Sequence, residues 1–143
     1  MFVVDANVLL YAVNRDAPPH SACRAWLASA LGARTRVGLA WTALLAFLRV
    51  STRAGVFARP LTTAEAFDLV ELWLAAPATT VIAPGERHAV VLRDLLTHVG
   101  TGGNLTSDAH LAALALEHGA TIVSCDHDFR RFPGVRLLDP TKS

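Results

Sequence analysis

Four aspartates lie where predicted strands end or where a predicted helix begins, and they are the residues of this chain best suited to chemistry. They are Asp5, Asp108, Asp126 and Asp128. Open parallel α/β sheets place functional groups beyond the carboxyl ends of their strands. Carboxylates that converge there repel one another unless a cation neutralises them. Oxygen ligands without paired His or Cys favour Mg²⁺ or Mn²⁺ over Zn²⁺. The pattern therefore predicts a metal-dependent enzyme that acts on phosphates.

Each aspartate also has a simpler interpretation. Asp5 suits the N-cap of a helix that starts near Asn7, because Asp is a favoured capping residue. Asp108 suits the first turn of a helix, where a negative charge complements the macrodipole. Asp126 and Asp128 suit a solvated turn. We predict metal binding for all four, with Asp128 as an outer or second-metal ligand, because no single simpler role explains the whole set.

The histidines do not compete with this site. Their spacing is typical of ordinary surface or half-buried residues and not of a metal-binding motif. They are His20, His88, His98, His110, His118 and His127.

Composition bounds the class of protein. Of 143 residues, 52% are hydrophobic and 17% are charged, which excludes a disordered chain. The formal net charge of +1 is not that of a nucleic-acid coat protein, but it is compatible with an RNA enzyme. Cys23 and Cys125 predict reduced thiols. The start of the chain lacks a basic segment, and the longest apolar stretch, 37–48, is too short to span a bilayer. We therefore expect a soluble, cytoplasmic protein.

The elements that must position the aspartates alternate along the chain. Strand-like runs alternate with helical patterns, which predicts one domain over 1–143 with a mainly parallel sheet of about five strands and helices on both faces. The predicted strands are 2–4, 36–40, 80–83, 121–125 and 135–138, and the predicted helices are 7–13, 21–31, 41–52, 62–75, 86–99 and 108–119. Thr62 and Glu65 form a capping-box pattern, and Gly119 suits the end of the last helix.

Three segments resemble the PIN domain, and in particular the VapC-type toxin ribonucleases of type II toxin–antitoxin systems. They are Val4–Leu9, Asn104–Ala112 and Thr121–Phe129. The resemblance implies a PIN-like α/β fold and an endoribonuclease that depends on Mg²⁺, with Mn²⁺ as a substitute. It also implies a VapB-type antitoxin as partner and self-association as a homodimer.

Carried onto this chain, the resemblance makes Asp5 and Asp108 the principal metal ligands and Asp126 the third acid. Asn7 would support Asp5 by hydrogen bonding. The expected reaction is hydrolysis of RNA phosphodiester bonds by metal-activated water. Arg49 and Arg53 are candidates for contact with RNA phosphates.

The chain departs from the family at one position. The family usually carries a second acid in the helix after the second strand, where this chain has Ala46. Glu86 or Asp128 are candidates to compensate. The departure leaves open a different function, a catalytically lapsed PIN-shaped module that binds RNA or a protein. A phosphatase with Asp5 as nucleophile fits less well, because its Asp-x-Asp motif is absent and the only lysine is Lys142.

Overall fold

The computed structural model describes residues 1–142 and contains one parallel sheet of five strands. The strands are β1 (Phe2–Val4), β2 (Val37–Ala40), β3 (Thr79–Ile82), β4 (Thr121–Val123) and β5 (Leu137–Leu138). Their spatial order is β3-β2-β1-β4-β5, and every neighbouring pair is parallel. The predicted α/β fold class and the number of strands are confirmed.

Six α-helices connect these strands. They are α1 (Ala6–Val13), α2 (His20–Leu31), α3 (Trp41–Ser51), α4 (Thr63–Ala75), α5 (His88–Val99) and α6 (Thr106–Glu117). Short 3-10 turns cover Gly103–Leu105 and His127–Arg131. Among residues 1–142, no helix has the length and apolar character needed to cross a membrane.

The strand order places a topological switch point between β1 and β4. From β1 the chain builds the sheet outward through β2 and β3, and it then returns to add β4 and β5 on the other side. The connections that leave β1 and β4 therefore diverge and leave a crevice beyond the carboxyl ends of these two strands, where open α/β sheets bind their ligands.

The sheet separates two hydrophobic cores because successive side chains of a strand point to opposite faces. Val4 and Val123 contribute to the core beneath helices α1 to α4. Val3 and Ile122, one position earlier in each strand, contribute to the core beneath α5 and α6. The predicted covering of both faces by helices is thus confirmed, and both cores hold the strands that end at the crevice.

Gly38 in the middle of β2 is required by packing. A Cβ atom at this position would lie 3.1 Å from the carbonyl oxygen of Phe2 and 3.2 Å from Cγ2 of Ile82. We expect Gly38→Val to lower the free energy of unfolding by about 1–3 kcal/mol through overpacking, although strand propensity alone predicts a gain. Urea unfolding measures the change.

The matched control is Gly32→Ala at the end of α2. A Cβ atom there would meet its nearest neighbours only at 3.9 and 4.0 Å, and the backbone is right-handed helical. This variant should be neutral, or more stable by up to about 1 kcal/mol. Equal stability of Gly38→Val and wild type would refute the packing argument.

The structure corrects some predicted boundaries. Helix α6 begins at Thr106, so Asp108 lies inside its first turn and does not open the helix. The last strand is two residues long instead of four. The capping box of Thr62 and Glu65 is confirmed, with both reciprocal hydrogen bonds formed. Gly119 follows α6 with φ of 61°, the left-handed conformation that glycine adopts at the end of a helix.

Candidate active site

The crevice at the ends of β1 and β4 is organised around the buried hydroxyl of Ser124. This hydroxyl donates a hydrogen bond to Oδ2 of Asp5 at 2.8 Å. It accepts one from Nδ2 of Asn7 at 3.0 Å and one from the backbone N–H of Asp126 at 2.9 Å. A serine hydroxyl has one donor and two acceptor sites, so all of its capacity is used. Ser124 therefore fixes the carboxylate of Asp5 relative to the segment that carries Asp126.

Asn7 supports this arrangement through Ser124. Its side-chain nitrogen binds the serine hydroxyl, and its Oδ1 accepts the backbone N–H of Cys125 at 3.3 Å. The backbone N–H of Asp5 in turn donates to the carbonyl of Val123 at 3.0 Å. These bonds join the end of β1 and the start of α1 to the end of β4. Sequence reasoning missed Ser124, because it lay within the predicted strand 121–125 and a single Ser there does not indicate such a role.

Electrostatics show that the aspartates converge. Burial, and then the charges of Asp5, Asp126 and Asp128, raise the pKa of Asp108 to about 6. Burial also raises the pKa of Asp5, and the charge of Asp126 adds to this, although the hydrogen bonds from Ser124 and the Ala6 backbone oppose it. The four predicted residues thus influence one region, and Asp108 carries the largest unfavourable effect.

A cavity of about 540 Å³ opens over this region. Asp5 and Asp108 line it, together with side chains from α3 that include Ala46 and Arg49. Among residues 1–142, the lining includes neither Asp126 nor Asp128, and it does not include Arg53. Asp126 caps the 3-10 turn that follows β4, where its Oδ1 accepts the backbone N–H of Asp128 at 2.9 Å.

The donor set suits a hard cation that keeps much of its own solvent shell. Within residues 1–142, no three side chains of His, Cys, Asp or Glu stand close enough to hold an ion by themselves. Mg²⁺, however, is commonly held by one or two carboxylates together with waters and substrate phosphate. Asp5 and Asp108 on one open cavity meet that requirement. Glu86 lines a separate pocket and does not share the cavity with them.

A second polar group, which sequence reasoning also missed, reaches the same cavity. Oε1 of Glu117 lies 2.7 Å from Nδ1 of His88, and Nε2 of His88 lies 2.9 Å from Nδ1 of His110. His110 lines the cavity. Burial, and then the neighbouring His88, lower the pKa of His110. His110 and Glu117 are seven residues apart on α6 and so share one face, which is the only signal for this group in the sequence.

The two cysteines, scattered in the sequence, are neighbours in the fold. Their Sγ atoms are 3.6 Å apart, and both are free thiols in the structure. Burial raises the pKa of Cys23, and it is the main cause that raises the pKa of Cys125 to about 12. Both groups are therefore thiols and not thiolates at neutral pH.

Asp108→Asn should stabilise the metal-free protein in a pH-dependent way. Because the folded-state pKa lies above the unfolded value, folding favours the protonated carboxyl. The contribution of the Asp108 carboxyl to the free energy of unfolding is therefore fully present below about pH 4 and is lost as the pH rises through about 6. We expect the variant to gain about 1 kcal/mol at pH 7.5, after discounting for solvent screening, and nothing at pH 3.5. Urea unfolding in EDTA at both pH values measures this.

The control for this prediction is Asp68→Asn, a change at an exposed position of α4. It should leave the free energy of unfolding unchanged at both pH values. A destabilised Asp108→Asn protein at pH 7.5 would show instead that the carboxylate serves the fold.

The sheet and its acidic cavity define an open α/β protein with aspartates gathered at the switch point. The sequence profile of the PIN domain matches residues 2–135. The chain therefore belongs to the PIN domain family, and the resemblance seen in the sequence is confirmed.

Individual relatives agree with this assignment. The chain is 54% identical to Ribonuclease VapC37 of Mycobacterium tuberculosis over 140 residues, which cover 98% of this chain and 97% of that protein. Among solved structures it is similar to VapBC-1 from nontypeable Haemophilus influenzae, with a TM-score of 0.71, 18% identity and coverage of 99% and 98%. It is also similar to VapC20 of M. tuberculosis, a toxin that cleaves the sarcin-ricin loop, with a TM-score of 0.69, 17% identity and coverage of 95% and 99%. The two structural similarities concern the fold alone.

Proposed function

We propose that this protein is a metal-dependent endoribonuclease that acts as the toxin of a type II toxin–antitoxin pair. The observation that carries the proposal is the position of Asp108, which lines an open cavity with Asp5 and has a pKa raised to about 6. Repelling carboxylates are costly without a cation, and such perturbed groups in clefts are typical of functional sites. The name of the relative VapC37, a ribonuclease at 54% identity, supports RNA as the substrate.

The residues of the site have distinct roles in this proposal. Asp5 and Asp108 would hold Mg²⁺ or Mn²⁺ directly, and Asp126 and Asp128 would hold its water ligands from beyond the cavity. Ser124 and Asn7 keep Asp5 in place. Arg49, which lines the cavity, would donate to a phosphate, and Arg53, four residues further along the chain, would contact RNA outside the cavity. When bound, the cation would activate water and neutralise charge on the phosphate during in-line hydrolysis.

Ala46 lies on the cavity wall, at the position where the family resemblance implies an acid. The alternative function, a lapsed module that only binds RNA or a protein, depends on this position. It is disfavoured because a module without a cation has no reason to retain the repulsion that raises the pKa of Asp108.

The proposed partners are a VapB-type antitoxin and a second copy of the chain, in the cytoplasm. Exposed apolar side chains on α3 and α4 support a protein interface on this side of the fold. They are Trp41, Leu45, Phe67 and Leu72. The solved VapBC-1 structure, similar in fold, adds support for such a complex.

Incubation of a mixed RNA pool with antitoxin-free protein tests the proposal. Cleavage in Mg²⁺ or Mn²⁺ that stops in EDTA is expected. A folded wild type that binds RNA but cuts none with either metal would favour the lapsed module, and restoring the acid by Ala46→Glu would then be the next step.

A further inference from the structure

The three side chains Glu117, His88 and His110 form a hydrogen-bonded chain that ends at the cavity. The first two are nearly buried, with side-chain exposures of 10% and 12%. The simpler interpretation is that these hydrogen bonds only hold α5 against α6. Two features indicate a further role. His110 lines the cavity beside Asp5 and Asp108, and both carboxylate oxygens of Glu117 are held by hydrogen bonds.

Gly85 fixes the direction of this hydrogen-bonded chain at the end away from the cavity. Its backbone N–H donates to Oε2 of Glu117 at 2.7 Å. A Cβ atom at position 85 would lie 2.9 Å from that same oxygen, so a larger residue there would force the Glu117 carboxylate to shift. Oε1 of Glu117 is then left for His88, and a carboxylate can only accept hydrogen bonds.

This direction determines the tautomers of both histidines when they are neutral. Nδ1 of His88 must carry its proton in order to donate to Glu117, so its Nε2 is an acceptor. Nδ1 of His110 carries a proton and donates it in a hydrogen bond to this acceptor. The Nε2 of His110 is therefore left without a proton, and among residues 1–142 the structure shows no partner for it.

We propose that Nε2 of His110 is a positioning group that accepts a hydrogen bond from a ribose 2′-hydroxyl of the RNA bound in the cavity. An unprotonated nitrogen repels phosphate oxygens, and so it requires a donor on the substrate. The 2′-hydroxyl is the donor that every RNA nucleotide carries and DNA lacks. The inference rests on the proposed function in taking RNA as the ligand, but it does not require cleavage.

Glu117→Gln reverses the direction of the hydrogen bonds from Glu117 through His88 to His110, because glutamine has nearly the same shape as glutamate but can also donate. The N–H of Gly85 can only donate, so it orients the amide oxygen of the glutamine toward itself. The amide –NH₂ then faces His88 and donates to Nδ1. The proton of His88 moves to Nε2 and is donated to Nδ1 of His110, and Nε2 of His110 becomes a donor. His110→Phe removes the nitrogen altogether.

The experiment measures binding of single-stranded RNA by fluorescence anisotropy at pH 8, where free imidazoles are neutral, in EDTA. A series of strands carries a single 2′-deoxynucleotide at each position in turn. In wild type, we expect one position to raise the Kd about fivefold to tenfold, the effect of one lost hydrogen bond. In His110→Phe the same change should raise it less than about twofold. In Glu117→Gln the 2′-hydroxyl can accept a hydrogen bond from the Nε2–H of His110 instead, so a 2′-O-methyl group at the sensitive position, which can only accept, should raise the Kd about fivefold to tenfold in wild type but less than about twofold in this variant. His98→Gln, at an exposed position of α5, is the control and should behave as wild type.

The inference is overturned if no deoxy position matters in wild type, if His110→Phe keeps the full deoxy effect, if the 2′-O-methyl group raises the Kd equally in wild type and Glu117→Gln, or if wild type binds no RNA. Thermal melting checks the fold of both variants, and Glu117→Gln decides alone if His110→Phe does not fold. Cleavage in Mg²⁺ is followed separately, so a wild type with a sensitive position and no cleavage would contradict the proposed function and leave this inference standing.

Discussion

Asp5→Asn and Asp108→Asn should each lower the rate of RNA cleavage by on the order of 10³-fold while the protein stays folded. Asparagine has nearly the same shape as aspartate but lacks the charge that would hold a cation. The fold should tolerate both changes, because burial and neighbouring charge already disfavour the ionised form at each position. Initial rates on a defined RNA in Mg²⁺, with circular dichroism of each variant, measure the effect.

Asp68→Asn is the matched control for these variants, because it removes one exposed negative charge from α4, away from the cavity. Its rate should equal that of wild type. If Asp5→Asn or Asp108→Asn unfolds, that carboxylate serves the fold. If either cleaves RNA at the wild-type rate, it does not belong to the active site.

Ser124→Ala should lower cleavage by about 10- to 100-fold, the usual effect of removing a group that orients a ligand, and should also cost about 2–3 kcal/mol of stability. The change takes a donor from Asp5 and an acceptor from both Asn7 and the backbone N–H of Asp126. Because Asp5 then loses its support, the affinity for Mn²⁺ should fall along with the rate. Urea unfolding, initial rates and calorimetric titration of Mn²⁺ measure the three effects.

Ser51→Ala offers a control in the same residue type. Ser51 is as fully buried as Ser124, but within residues 1–142 its hydroxyl has no hydrogen-bond partner. Removing an unpaired buried hydroxyl should be neutral or stabilise the protein by about 1 kcal/mol, with no effect on cleavage. Similar losses in the two variants would mean that the Ser124 network does not control Asp5.

The fold and the principal aspartates were predictable because each left a local signal. Short apolar runs alternating with helical periods gave the parallel sheet, and Asp5 directly after the first run placed it at a strand end. The start of α6 was predicted two residues late, because Thr106 and Ser107 resemble a capping segment when only local sequence is considered. Tertiary packing decides such boundaries.

The parts that escaped prediction depend on pairs distant in sequence. Ser124 reaches Asp5 across 119 positions, and His88 reaches Glu117 across 29. No helical or strand periodicity links such residues, and each one alone is unremarkable in type. The pairing of β1 with β4 in the folded sheet brings Ser124 to Asp5. The packing of α5 against α6 brings His88 to Glu117. The placement of Ala46 on the cavity wall was likewise evident only from the structure.

Cleavage of a defined RNA in water enriched in ¹⁸O, followed by mass spectrometry of the products, tests the central claim most directly. If the carboxylates of Asp5 and Asp108 support hydrolysis by water, the new terminal phosphate carries one ¹⁸O atom. It should form in Mg²⁺ or Mn²⁺ and not in EDTA or with Asp108→Asn. Cyclic phosphate ends without ¹⁸O, or equal cleavage in EDTA, would contradict the account.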